Sequence, residues 1–181
     1  MILSLFRRHP RRTAIATLYE RVASAARAPG LYRALAVPDT VEGRFEALAL
    51  HVVIALRTLR VAPPPADEVA AELAEAFFRD MDSVLRESGV ADAKVPKRMK
   101  TLAEAFYGRA RAYDAPLDAG DEAALTEAFA RNVSPGAPAR GLARYALAAD
   151  LGLRAQGLDE LLRTGPRFPR PESFSAAGGT P

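Results

Sequence analysis

The segment DTVEGRFEALALHVVIALRTLRV, residues 39–61, has one reading that satisfies its apolar residues together. Val41, Phe45, Leu48, Val52, Leu56 and Leu59 recur at spacings of four and three, which lines them along one side of an α-helix. Asp39 stands in a capping position, and Glu42 three residues later completes a capping box. The longest apolar run, ALALHVVIAL at 47–56, is interrupted by His51 and bounded by Glu46 and Arg57. A membrane-spanning helix needs roughly 20 apolar residues, so this one is expected inside a protein core.

The same period continues on both sides. Upstream, Ile15, Leu18, Tyr19 and Val22 form the inward stripe of a helix expected over 11–27, ended by Pro29-Gly30, with a short helical turn over 31–35 before Pro38. Downstream, Pro63-Pro64-Pro65 makes a stiff connector, because consecutive prolines lack amide donors. Asp67 then caps a helix to Ser88 with Val69, Leu73, Phe77, Met81, Val84 and Leu85 inward, and Gly89 suits a left-handed terminator. Asp92 and Pro96 open a helix to Tyr113, with Val95, Met99, Leu102, Ala103, Phe106 and Ala110 on its stripe. Helices over 121–132 and 137–156 follow, the second burying Leu142, Tyr145, Leu147 and Leu151, and a last turn covers 158–163. The β-branched alternation that marks strands is missing. The expected fold is all-α: a basic N-terminal segment at 1–10, one compact domain of about six to eight helices at 11–163, and an extended or disordered Pro/Gly-rich tail at 164–181.

With 181 residues and 49% hydrophobic composition the chain can bury a core of its own, so a monomer is expected. The absence of cysteine excludes disulfides, thiolate metal sites and cysteine nucleophiles, and suits a reducing compartment. At the N-terminus MILSLF precedes the basic residues, the reverse of an export signal, so a cytoplasmic protein is expected. The formal net charge is only +3, but the cations gather at Arg7, Arg8, Arg11 and Arg12, at Lys94, Lys97, Arg98 and Lys100, and at Arg163, Arg167 and Arg170. The first two groups are candidate basic surfaces for an anionic membrane interface or RNA, weighed against a frayed terminus and the polar side of a helix start.

Catalytic readings find little to stand on. FFRDMDSVLRESGV at 77–90 offers Asp80 and Asp82, yet Arg79, Asp82 and Arg86 fall at spacings of three and four, as on a solvated, salt-bridged helix face. Only His9 and His51 are present, without a Glu-x-x-His pair, so no metal site is expected. His51 in an apolar helix reads as a hydrogen-bonded core histidine. No G-x-S-x-G or phosphate-binding glycine loop occurs, and Asn132-Val133-Ser134 has no meaning as a glycosylation site without export. Phe78 and Tyr107 each adjoin an inward aromatic and must point partly off the buried stripe, towards a central core or a groove for an apolar partner.

Four segments together carry a resemblance: LYERVASAAR at 18–27, LYRALAVPDTVEGRFEALALHV at 31–52, FFRDMDSVLRESGV, and VPKRMKTLAEAFYGRARAYDAPL at 95–117. The chain resembles the ubiquinol–cytochrome c chaperone family, proteins that help assemble respiratory complex III. Ser83, Ser88 and Ala91 depart from the family pattern, which commonly has a basic residue, methionine and glycine there. The resemblance implies a non-enzyme without cofactor that holds newly made cytochrome b until haem insertion. In mitochondrial relatives it implies a second small assembly factor and a place near the ribosome. Apart from the resemblance, the N-terminal MILSLFRRHPRR is expected to make a weak, salt-sensitive peripheral contact with the inner face of the cytoplasmic membrane. On the chaperone reading the client-binding candidates are Phe77, Phe78, Met81, Met99, Phe106 and Tyr107. The helices of 67–88 and 92–113 are expected to pack antiparallel and bring Phe77, Phe78 and Met81 to Phe106 and Tyr107. The alternative is a peripheral membrane- or RNA-binding helical module acting through its basic clusters.

Overall fold

A computed structural model of the chain describes residues 3–133 and 139–175, with side chains described from Thr13 onward. The fold is all-α and contains no strand among the described residues. The helices are α1 (Leu3–Ala26), α2 (Pro29–Arg33), α3 (Val41–Val61), α4 (Ala66–Glu87), α5 (Val95–Ala119), α6 (Glu122–Asn132), α7 (Arg140–Gln156) and α8 (Leu158–Thr164), with 3-10 turns at Asp92–Lys94 and Pro171–Phe174.

α3 is the axis of the molecule. α3 packs against α1, α4, α5 and α7, and it is buried on every side through Ala49, Leu50, Val52, Val53, Ile54 and Leu59. A helix that is apolar all round has to be central, because each face needs a neighbour. Its start differs from the expected capping box: Thr40, not Asp39, caps the helix and accepts from the Gly43 amide at 3.1 Å. Asp39 instead pairs with Arg44 at 2.8 Å. Gly43 is required here, since a Cβ would lie 1.9 Å from the Pro38 carbonyl oxygen. Pro38, Asp39, Thr40, Gly43 and Arg44 thus form one turn that starts the central helix.

Other differences trace to packing that periodicity cannot show. α1 begins at Leu3 rather than Arg11, because an arginine-rich extension has no apolar stripe to mark it. α4 has no side-chain cap from Asp67. α5 runs past Tyr113 through Pro116 to Ala119, where buried Leu117 and the contacts of Asp114 and Asp118 with Arg57 outweigh the proline. α7 begins at Arg140, and the start expected at Ala137 lies outside the described residues. Val41, Val84 and Leu151 were expected inward but are 78%, 46% and 73% exposed: Val41 and Val84 stand at the ends of their helices, and Leu151 faces away from the buried residues of α7.

The segment after α8 is held against the core up to Ser175; residues 176–181 lie outside the described ones. Gly165–Arg170 runs without regular structure and sets Phe168 against His51, ring centroids 4.6 Å apart. Pro171 is buried and Phe174 meets Tyr145 edge-on at 5.8 Å. Two glycines admit this strap: a Cβ on Gly30 would meet the Glu172 carboxylate at 2.2 Å, and one on Gly141 the Phe174 carbonyl oxygen at 2.6 Å.

Candidate functional site

α4 and α5 are joined by a short turn, so residues equidistant from it face one another, 77 opposite 106 and 81 opposite 102. The rings follow that register. Phe77 lies 4.8 Å from Phe106, Phe78 lies 5.6 Å from Phe106 and 6.0 Å from Tyr107, and Phe106 lies 5.5 Å from Tyr107. Tilted and edge-on rings at these separations are the favoured arrangement of aromatic pairs.

Burial divides the candidates. Phe77 and Phe106 are fully buried and Met81 nearly so, packed into the core with Leu73 and Val69. Phe78 and Met99 are half-buried, and Tyr107 is 51% exposed. The outcome is a two-layer aromatic seam: a buried base of Phe77 and Phe106, and an accessible layer of Phe78 and Tyr107 that a partner can reach. A buried ring holds the layer above it in place, so the accessible rings are preorganised. Lys97, Lys100, Glu104, Tyr107 and Arg111 run at spacings of three and four along the exposed side of α5, while Glu75, Arg79 and Asp82 line α4. The seam is an apolar strip between charged rims.

The acids of residues 77–90 are occupied. Asp80 accepts from the Tyr19 hydroxyl at 2.6 Å, and burial together with this bond raises the Tyr19 pKa. Asp82 holds Arg86 at 2.7 Å, and Arg86 also reaches Asp92 at 2.7 Å. This is the salt-bridged face the spacing predicts, and Gly89 ends the helix at φ +81° as expected. Arg109 of the EAFYGR string grips Glu46 through two nitrogens at 2.6–3.1 Å, fastening α5 to α3. Lys94, Lys97, Arg98 and Lys100 are exposed at the tip of the hairpin. The side chains of Arg7, Arg8, Arg11 and Arg12 lie outside the described residues.

His51 is a core residue. Its Nδ1 is 2.7 Å from the Ala47 carbonyl, which can only accept, so Nδ1 carries the proton and Nε2 accepts from the Tyr145 hydroxyl at 2.7 Å. Burial pushes its pKa down to about 4, and burial also raises that of Tyr145. A separate groove of about 500 Å³ lies between Ala25, Ala28 and the strap residues Phe168–Glu172, away from the aromatic seam.

The sequence reading missed a buried ionic cluster. Arg57 is 4% exposed and joins Asp150 at 3.1 Å, Asp118 at 2.6 Å and Asp114. Arg154 adds Asp118 at 2.9 Å, and its hydrogen bond, with that of Arg57, holds the Asp118 pKa below the usual range. Arg60 takes both carboxylate oxygens of Asp114 at 3.0 Å. The signal was phase: Arg57 continues the 50–53–54 line of α3, and Asp150 sits on the 143–146–153 line of α7. Opposite charges in the apolar phase of two helices mark a buried pair.

The α4–α5 pair thus sets accessible aromatic rings beside acids of 77–90 that are hydrogen-bonded or ion-paired, in an all-α fold in which, among the described residues, no helix is long and apolar enough to cross a membrane. The family model for the ubiquinol-cytochrome C chaperone matches residues 33–168. The crystal structure of the Cbp3 homolog from Brucella abortus is similar at 43% identity and a TM-score of 0.79, over 91% of this chain and 94% of that one. None of the curated proteins compared matches. The chain belongs to the ubiquinol–cytochrome c chaperone family.

Proposed function

We propose that this protein is a non-catalytic assembly chaperone that receives newly made cytochrome b on the α4–α5 seam, working at the cytoplasmic side of the membrane. The observation that carries the reading is the accessible pair Phe78 and Tyr107 above a buried aromatic base, 6.0 Å apart. An apolar client segment can cover these rings without opening the core, and half-buried Met99 adds an adaptable contact at one end. Phe77, Met81 and Phe106 support the surface from below and do not touch the client. The charged rims keep the seam soluble when empty.

The test is single substitution of Phe78 and Tyr107 by serine, with melting temperature measured beside capture of cytochrome b from cells translating it. Burying one such aromatic in an interface contributes roughly 1.5–3 kcal/mol, so capture is expected to fall at least tenfold while melting moves little. Unchanged capture by both stable variants removes the seam from the client site.

A further inference from the structure

We propose that the tip of the α4–α5 hairpin is a docking surface for anionic lipid. It borders the end of the aromatic seam, where Lys97, Met99 and Lys100 stand, but it does not rest on the client reading, which stands on Phe78 and Tyr107. Lys94, Lys97 and Arg98 fall at spacings of three and four on one face at the start of α5. All three are exposed, and among the described residues none has a carboxylate partner. The acids nearby are committed: Asp82 and Asp92 both hold Arg86, and Glu87 accepts from Ser83 at 2.9 Å. Lys100 comes only within 3.9 Å of Glu104. From Asp82 to Lys100 there are five cations, at 86, 94, 97, 98 and 100, against three carboxylates, at 82, 87 and 92. No acidic residue stands in the first turn of α5, so these cations sit at the positive end of the helix dipole, an arrangement that costs free energy unless an external anion offsets it.

The chemistry around the cations selects the partner. Val84 is 46% exposed, and Leu85, Val90 and Met99 are half-buried at the same end of the hairpin. Aliphatic side chains among unpaired cations suit the boundary between headgroups and acyl chains. A surface for single-stranded RNA combines aromatic platforms with a cationic track along the backbone, and one for duplex RNA spans successive grooves. Here the only accessible ring on α5, Tyr107, lies about two turns beyond Lys100, and the cations span only about 9 Å of helix. A membrane-protein client is a poor occupant as well, because its cytoplasmic loops carry excess lysine and arginine that this tip repels. The anionic leaflet attracts it.

The full chain would be sedimented with phosphatidylcholine vesicles with and without phosphatidylglycerol, beside a triple variant Lys94→Gln, Lys97→Gln, Arg98→Gln and a charge-preserving one, Lys94→Arg, Lys97→Arg, Arg98→Lys. The N-terminal arginines are present throughout. The parent is expected to bind only the phosphatidylglycerol vesicles. The glutamine variant should bind them roughly a hundredfold more weakly, from about 1 kcal/mol for each of three cations, and the charge-preserving variant should bind like the parent. None of the three substitutions removes an ion pair, so the melting temperature should hold. The proposal is overturned if the parent does not bind, or if the glutamine variant binds within about twofold of it. It is also overturned if that variant loses affinity for oligouridylate while keeping its affinity for vesicles. Cytochrome b capture in detergent is a separate readout, so failure here leaves the seam untouched and failure of the seam leaves this.

Discussion

Replacing Arg57 with methionine tests whether the ionic cluster at the centre of the fold acts as one unit. The guanidinium is 4% exposed and its three nitrogens serve Asp150, Asp118 and Asp114. Asp114 and Asp118 are 36% and 53% exposed, so on losing Arg57 they can turn to water and keep Arg60 and Arg154. Asp150, 7% exposed, cannot. Its remaining cation is Arg154, whose Nε lies 2.9 Å away but at an angle that makes no hydrogen bond. Stranding a buried charge costs about 3–5 kcal/mol, and the residual pairing with Arg154 places R57M near about 3 kcal/mol. For a chain of this size that lowers the melting temperature by roughly 6–12 °C. Asp150→Leu alone should cost less, about 1–2 kcal/mol, because Arg57 keeps two carboxylates. The double variant removes both ions, and should recover at least about 2 kcal/mol of the summed loss. Urea unfolding of the four proteins at neutral pH measures the cycle. Additive losses, or an R57M cost below about 1 kcal/mol, would refute the coupling.

Acid should destabilise the fold through His51. Its pKa falls from an ordinary value of 6.5 to about 4 on folding, so between those limits the unfolded chain binds the extra proton. Stability is therefore whole above pH 6.5 and declines as pH falls towards 4, by about 3 kcal/mol from this group. H51Q should remove that part of the pH dependence in denaturant titrations, and an unchanged profile would mean the ring is not what titrates. Gly43→Ala forces a Cβ against the Pro38 carbonyl, and should cost about 1–3 kcal/mol in thermal unfolding. Phe77→Ala in the buried base should cost about 3–5 kcal/mol, whereas Tyr107→Ala, half in solvent, should fall well below that. Equal losses in melting experiments would erase the distinction between the two layers of the seam.

Periodicity determined which segments are helices, because an apolar stripe at spacings of three and four constrains backbone and burial together. It located α3 and α4, and through the short turn between α4 and α5 it brought Phe77 and Phe78 to Phe106 and Tyr107. It also set Phe77 and Phe106 on the inward stripes and turned Phe78 and Tyr107 partly off them. What it left open was whether that second pair faces a core or a groove, and only the neighbours supplied by the rest of the fold left Phe78 half-buried and Tyr107 half in solvent. The same limit hid the strap. Proline and glycine after residue 164 signal a break in helix, yet Phe168, Pro171 and Phe174 find partners in His51, the core and Tyr145 from distant segments. It hid Arg57 as well, which a sequence reads as the end of an apolar run. Only the tertiary structure, by setting α5 and α7 beside α3, supplied the three carboxylates that let that charge be buried.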